Sequence, residues 1–473
     1  MRYFHLAGWL LLFLLCPLQI MAGGEELRLP PKKRFPGGKT FLFRLSLTDK
    51  SGTPFSLTRP TEFLSRKAVE RRRRQGLPVD STDLPVSPSY LEQISSFKGI
   101  SIVSMSKWNN TVLVKTGDVS KVKPLSNLPF VKSVTKVFTS PDSLTPSSRS
   151  VYHKELMTWE GSVDEDYGMA ALNIDMVNGR PLHQMNFRGR GMTIAVFDGG
   201  FMNVDRIPAM TKVKIVGTRD FVAFKSDDIY QEHDHGTKVL STMAVDIPGV
   251  YVGTAPEAEF WLLRAEDTYT ESLAEEDYWS AAAEFADSVG VDIISSSLGF
   301  QDFDDKTTDH VYSELDGAHA LISRTASKLA SKGIVLVNSA GNEGLGTWKK
   351  INFPADAKDI LAVGAVNTKR MNASFSSVGP TEDGRIKPDI MALGSPAAII
   401  SGRGAVNSDL GTSFAAPVIS GLVACLWQSA PKKTAYQVMD AIRRSGDNYA
   451  TPNNVFGYGI PDFERAYQLL RGK

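Results

Sequence analysis

Seven short apolar runs alternate with helical stretches in the C-terminal two thirds of the chain, and this alternation limits the fold more than any other feature. The runs lie at residues 193–197, 213–216, 260–264, 293–297, 335–338, 360–366 and 389–393. Between two of them, Tyr278, Ala282, Phe285 and Val289 recur at the spacing of one helical face. Strand and helix in strict turn predict an α/β unit: a parallel sheet covered by helices on both faces. Such sheets keep their sites at the carboxyl edge, where strands end and helices begin.

Three places of that kind carry reactive side chains. The run Met192-Thr193-Ile194-Ala195-Val196-Phe197 breaks into Asp198-Gly199-Gly200, which sets a carboxylate at a buried strand end. His235-Gly236-Thr237 precedes Val239, Leu240, Met243 and Ala244, the pattern of a helix start. Gly411-Thr412-Ser413-Phe414-Ala415-Ala416-Pro417 opens a third helical pattern through Val418, Gly421, Leu422, Cys425 and Leu426, with Pro417 expected in the first turn. A serine there could be a plain N-cap. Yet a hydroxyl becomes a nucleophile once a base takes its proton and a third group orients the base, and Asp198, His235 and Ser413 supply those three types.

These blocks resemble the signatures of the subtilisin-like serine peptidases, the subtilases. A fourth block, Val335-Leu336-Val337-Asn338-Ser339-Ala340-Gly341-Asn342-Glu343-Gly344, resembles the segment carrying the family's oxyanion-hole asparagine. The resemblance covers about residues 167–470 and implies Asp198, His235 and Ser413 as catalytic residues, with Asn342 and the Ser413 N–H binding the oxyanion. It implies substrate binding by Ser297, Leu298 and Gly299, the strand that pairs with an extended peptide, and by Ser339, Ala340 and Gly341. Phe353-Pro354-Ala355 and the block from Ala373 to Pro380 also match family segments. The implied fold is the subtilisin-like α/β fold, preceded by a small α+β prodomain.

Some positions depart from the pattern. Lys238 stands where many members have a second histidine, which changes the local charge. The stretch from Met243 to Gly253 is short where many subtilisins insert a calcium loop before the block matched by Val252-Gly253-Thr254-Ala255-Pro256, so no calcium is expected there. Structural calcium elsewhere has no location, the chemistry needs no cofactor, and no metal site is assigned. His233-Asp234-His235 lacks the further ligand that zinc requires.

The N-terminal third reads differently. Residues 1–22 place Arg2 before Trp9-Leu10-Leu11-Leu12-Phe13-Leu14-Leu15 and end at Ala22, the layout of a secretory signal. A secreted or cell-envelope protein is expected, with no membrane association after signal removal. Lipidation of Cys16 fits poorly beside Leu14, Leu15 and Pro17. Residues 23–139 read as strands at 40–47, 100–107, 111–116 and 131–138, with helices at 61–75, 88–98 and 118–125. This α+β unit looks like the inhibitory prodomain of the family, whose last strand and tail would fill the substrate cleft. Residues 140–166 form a linker and processing region, and residues 167–473 the catalytic domain.

Other candidates have plainer readings. Arg71-Arg72-Arg73-Arg74 is expected to be the solvated face of a helix. His153, His183, His310 and His319 lie outside every motif and read as surface or packing residues. Asp389 reads as a strand-end carboxylate, and Cys425 as a small core residue. The 53 basic and 52 acidic side chains nearly cancel, so no global field favours nucleic acid.

The expected function is therefore a secreted serine endopeptidase made as a zymogen, with polypeptide substrates and its own prodomain as inhibitor. The alternative is a secreted binding protein that keeps the fold without turnover. A sedolisin would carry glutamate in place of His235 and aspartate in place of Asn342. An esterase would carry a Gly-x-Ser-x-Gly elbow, which Gly411-Thr412-Ser413-Phe414-Ala415 does not provide.

Overall fold

Two sheets organise the computed structural model, which describes residues 27–28, 39–141, 164–223 and 228–472. The signal segment, His153 and the tail expected to reach the cleft lie outside the described residues.

The first sheet is antiparallel, in the order β2-β3-β1-β4, built from β1 (Phe41–Leu47), β2 (Ser101–Ser106), β3 (Thr111–Thr116) and β4 (Val131–Thr139). Alternating side chains give it two apolar faces. Phe43, Leu45, Val112 and Val114 form a core with Val86 and Ile94, to which α1 (Arg66–Gln75) contributes no side chain and α2 (Pro88–Ser95) contributes Ile94. Leu42, Leu113 and Val137 point the other way, into the core of the second unit. Helix α1 starts later than its pattern suggested, because Ser65 caps it by accepting from the Ala68 N–H after a separate turn at Pro60–Glu62.

The second sheet confirms the parallel arrangement. Short helices α3 (Ala171–Asp175) and α4 (Arg180–Gln184) lead into β5 (Thr193–Asp198) and β6 (Lys214–Asp220). Then come α5 (His235–Ala244), the small ladder β7 (Asp246–Ile247) and β8 (Tyr251–Val252), β9 (Glu259–Arg264), α6 (Glu275–Val289) and β10 (Ile293–Ser296). After α7 (Leu321–Lys328) follow β11 (Val335–Ser339), β12 (Leu361–Asn367) and β13 (Ile390–Ser395). The hairpin β14 (Ala397–Ile400) and β15 (Val406–Asp409) returns to α8 (Thr412–Ser429), α9 (Ala435–Ser445) and α10 (Phe463–Leu470).

The order β13-β12-β11-β10-β5-β9-β6 is parallel at every rung. The chain lays β6 and β9 on one side of β5, then crosses to build β10 to β13 on the other. A crevice outside the strand ends at such a crossing is where open α/β sheets hold ligands. Ile194 and Val196 face α5 and α8 on one side of the sheet; Ala195 and Phe197 face α6 and α7 on the other.

Helix α8 is the axis of this core, with every residue buried except Gln428. Each fully buried Leu, Ile or Val contributes about 1.5–3 kcal/mol. Pro417 is not in its first turn as expected: Gly411 is the N-cap, so Pro417 is the sixth helical residue. Its missing N–H leaves the Ser413 carbonyl without its helical donor.

The arginine run is also corrected. Arg71 and Arg72 are each only 1 % exposed and reach across to α6, where Asp287 accepts from Arg71 at 2.5 Å and from Arg72 at 3.0 Å. Arg72 pairs with Asp83 as well, at 2.8 Å. Only Arg73 fits the solvated reading, exposed and paired with Glu70. Burial opposes the Asp287 charge, but Arg71 and Arg72 hold its carboxyl below the ordinary range.

The same side of α6 carries more acid toward the first sheet. Arg44 of β1 binds Asp277 at 2.6 Å and Glu276 at 3.4 Å. Glu284 accepts from the Ser106 hydroxyl and the Lys107 and Trp108 amides, at 2.5, 2.6 and 2.9 Å.

Candidate active site

Asp198 ends β5 and is fully buried; His235 is the first residue of α5. Gly236 lets the two elements meet, because a Cβ there would lie 2.4 Å from the Gly200 carbonyl and 2.9 Å from the Asp198 Cβ. The imidazole Nδ1 lies 3.0 and 2.9 Å from the two Asp198 carboxylate oxygens. A carboxylate can only accept, so it fixes Nδ1 as the donor and leaves Nε2 as the acceptor in the neutral ring. Burial opposes charging the ring, but the Asp198 charge and hydrogen bond outweigh it and raise the His235 pKa to about 8, with Glu266 adding to the rise and Lys238 opposing it.

Ser413, the second residue of α8, caps nothing with its side chain. Its hydroxyl faces the Ser297 carbonyl at 3.4 Å, while the Ser297 hydroxyl donates to the Ser413 carbonyl at 2.8 Å. The second bond fills the place that Pro417 leaves empty. The His235 ring lies beside Phe414, the next residue, with centroids 5.5 Å apart. The imidazole therefore lies against the helix turn that carries Ser413, whose hydroxyl is directed at Ser297.

Asn342 follows β11 and is held by the same helix start. Its Oδ1 accepts from the Thr412 N–H and the Thr412 hydroxyl, both at 3.0 Å, which turns the NH2 end away from Thr412. Thr412 also accepts from the Gly341 N–H at 3.3 Å. Sequence reasoning missed Thr412 and the Ser297 hydroxyl as supports; their place inside or beside the motifs was the only local signal.

Two backbone walls flank this corner. Ser297, Leu298 and Gly299 continue β10, and Ser339, Ala340 and Gly341 continue β11. Asn352 bridges them: its N–H donates to the Ala340 carbonyl at 3.1 Å, and the next residue, Phe353, exchanges two hydrogen bonds with Phe300. A Cβ on Gly299 or on Gly341 would come within 3.0 Å of the Asn352 side chain. Asn352 is 5 % exposed and its Oδ1 has no hydrogen-bond partner.

The remaining candidates separate from this corner. Lys238 binds Asp409 at 3.0 Å, tying α5 to the segment before Ser413. Asp389 is held by Lys387 and Arg443 at 2.6 and 2.9 Å, and Cys425 is fully buried against the Thr254 carbonyl. His183 packs between Tyr167 and Thr254, and His319 is exposed. His310 is buried between Glu276 and Glu314, which raise its pKa against the effect of burial. Among the described residues no cluster of three or more His, Cys, Asp and Glu side chains is arranged to hold a metal ion.

Comparison with known proteins gives two family matches. The peptidase S8 model, described as the subtilase family, matches residues 189–459, and the peptidase S8 propeptide domain of Bacteroidota matches residues 43–153. The chain is 27 % identical over 312 residues to subtilisin NAT of Bacillus subtilis subsp. natto, spanning 65 % of this chain and 74 % of that protein. It is 27 % identical over 297 residues to the subtilisin of Bacillus pumilus, spanning 62 % of this chain and 98 % of that protein. It is 25 % identical over 402 residues to the minor extracellular protease Epr of Bacillus subtilis (strain 168), spanning 80 % and 56 % respectively.

Proposed function

Because this chain belongs to the subtilase family and carries a peptidase S8 propeptide domain, we propose that it is an exported serine endopeptidase made as an inactive precursor. The observation that carries the reading is the buried Asp198 carboxylate bound to His235 Nδ1, with the imidazole packed against Phe414, the residue after Ser413.

In this reading Ser413 turns its hydroxyl from the Ser297 carbonyl to His235 Nε2 as substrate enters. His235 takes the proton while the serine oxygen attacks the scissile carbonyl, and Asp198 stabilises the imidazolium. The carbonyl oxygen gains negative charge and is met by the Asn342 NH2 group and the Ser413 N–H at the start of α8. His235 then gives its proton to the leaving amine, and the acyl-enzyme that remains is hydrolysed by water through the same steps in reverse. Extended substrate pairs with Ser297, Leu298 and Gly299, facing Ser339, Ala340 and Gly341.

The division 1–22, 23–139, 140–166 and 167–473 belongs to the same proposal, as signal, propeptide, processing region and peptidase. The first sheet, which ends with Thr139, supports the second boundary. Export is supported by the Arg2-led apolar N-terminus and by the likeness to a protease named as extracellular. The propeptide, whose sheet packs on α6, acts as the intramolecular inhibitor through its last strand and the tail that follows it.

Fluorophosphonate labelling tests the chemistry. Self-processed wild type should be labelled and Ser413→Ala should not. Processed wild type that stays unlabelled, indistinguishable from Ser413→Ala, would replace this reading with a binding protein that keeps the fold.

A further inference from the structure

Arg28, in the stretch ahead of β1, is held by the peptidase unit. Its N–H donates to Asn203 Oδ1 at 2.9 Å, its carbonyl accepts from Asn203 Nδ2 at 3.2 Å, and its guanidinium donates to Asp205 at 2.9 Å. Asn203 and Asp205 lie in the turn after β5.

Asn203 is built to read a peptide backbone. It is 1 % exposed and adopts a left-handed φ of 60°, which asparagine tolerates better than most residues. Its Nδ2 also donates to the Gly402 carbonyl at 2.9 Å, so both carbonyl acceptors face the nitrogen and the oxygen must face the Arg28 N–H. One amide thus accepts from and donates to a single residue, like one rung of a strand ladder, and would do so for any residue. Selectivity comes from Asp205, whose carboxylate takes the guanidinium in a charge-assisted bond. Tyr230 stands close enough for the charges of Asp205 and Arg28 to act on its phenol. Two more bonds fix the turn: Asn203 N–H to the Tyr230 carbonyl at 3.1 Å and Met202 N–H to the His233 carbonyl at 3.3 Å.

We propose that Asn203 and Asp205 form an arginine-binding site for extended peptide, separate from the catalytic residues, and that its resident ligand is this chain's own Arg28. The propeptide sheet packs on the α6 side of the central sheet, while Phe201, Val204 and Ile207 around this turn belong to the core on the opposite side. Arg28 is therefore a second fastening, on the other face from the first. Two linked attachments release more slowly than either alone, because each keeps the other at high local concentration.

The contact itself is tested in full-length Ser413→Ala, which removes the proposed nucleophile. The Arg28 amide should exchange its hydrogen at least about tenfold more slowly than an open amide, and Asp205→Ala should remove much of that protection. Exchange at the open rate would overturn the site. In the catalytically intact full chain, Arg28→Ala and Asp205→Ala should each shorten the lag before peptidase activity by roughly threefold to tenfold. The double variant should be no faster than either single one, Arg28→Asp with Asp205→Arg should restore the lag, and final activity should be unchanged. Additive effects in the double variant, or an unchanged lag with Arg28→Ala, would overturn the fastening. The latch depends on the peptidase reading only through this second assay: protection at Arg28 in a chain that never gains activity would count against that reading and not against the site.

Discussion

Ser297 and Ser413 hold each other through two hydrogen bonds of opposite direction, hydroxyl to carbonyl at 2.8 Å one way and 3.4 Å the other. The short bond exists because Pro417, four residues after Ser413, has no N–H to give the Ser413 carbonyl. Ser297→Ala should therefore cost about 1–3 kcal/mol in chemical denaturation, the penalty of an unsatisfied buried carbonyl. In a Pro417→Ala background a helical N–H becomes available and the same substitution should cost less. Equal penalties in the two backgrounds would mean that the hydroxyl does not replace the missing donor.

The histidine sets a pH dependence. A base must be unprotonated to act, so kcat/KM should rise with pH through an apparent value of about 8. Asp198→Asn removes the principal cause of the rise and leaves burial, so the inflection should move down, with turnover falling by about 10⁴. Lys238→Met removes an opposing charge, so the inflection should move up. Stability carries the opposite dependence: the raised pKa adds stability fully below about pH 6.5, which is lost as pH rises through about 8. Rate and unfolding profiles measured together check both signs.

Asn342→Ala removes one of the two donors assigned to the oxyanion. Turnover should fall about 10²–10³-fold with little change in KM, since the donor acts on charge present only in the transition state. A rise in KM with kcat unchanged would assign Asn342 to ground-state binding.

Asn352 closes the space between the Gly299 and Gly341 walls with an amide, which leaves little room for a large apolar side chain. Asn352→Gly should raise the ratio of kcat/KM for Phe over Ala at the cleaved position by about tenfold or more. An unchanged ratio would place the specificity floor elsewhere.

Asp287→Asn leaves Arg71 without its charged partner and Arg72 with Asp83 alone. Removing one member of a buried set of this kind costs about 3–5 kcal/mol, so the full chain should lose stability by that order in denaturant. Arg73→Ala, on the exposed pair with Glu70, should lose less than about 1 kcal/mol.

The central sheet was legible because its strands announce themselves as apolar runs and all but the edge strand β6 are largely buried on both faces, a local property. The Asp198–His235 contact and the Asn342–Thr412 contact were legible because these residues sit in short blocks, where Gly236 and Thr412 stand for steric and hydrogen-bonding reasons. The misses are long-range. Arg71 and Arg72 sit in a run that looks solvated, and only the arrival of Asp287, more than two hundred residues later, buries them. His310 has no motif of its own, and its carboxylate partner Glu276 lies on α6, 34 residues earlier. Pro417 was misplaced by one turn because helical spacing alone does not say which of several glycines and hydroxyls is the cap. Arg28 carried no local signal, since Asn203 and Asp205 meet it only in space.

Helix α6 turns Asp277, Glu284 and Asp287 toward the first sheet, with Glu276 alongside, and β1, α1 and the β2–β3 turn answer them with Arg44, Arg71, Arg72 and three hydrogen-bond donors. A peptidase unit assembling by itself would have to raise this like-charged ridge against its own repulsion. The arginines are the mould against which the ridge can set, and once they have gone the finished enzyme keeps their imprint as a negative seam facing water.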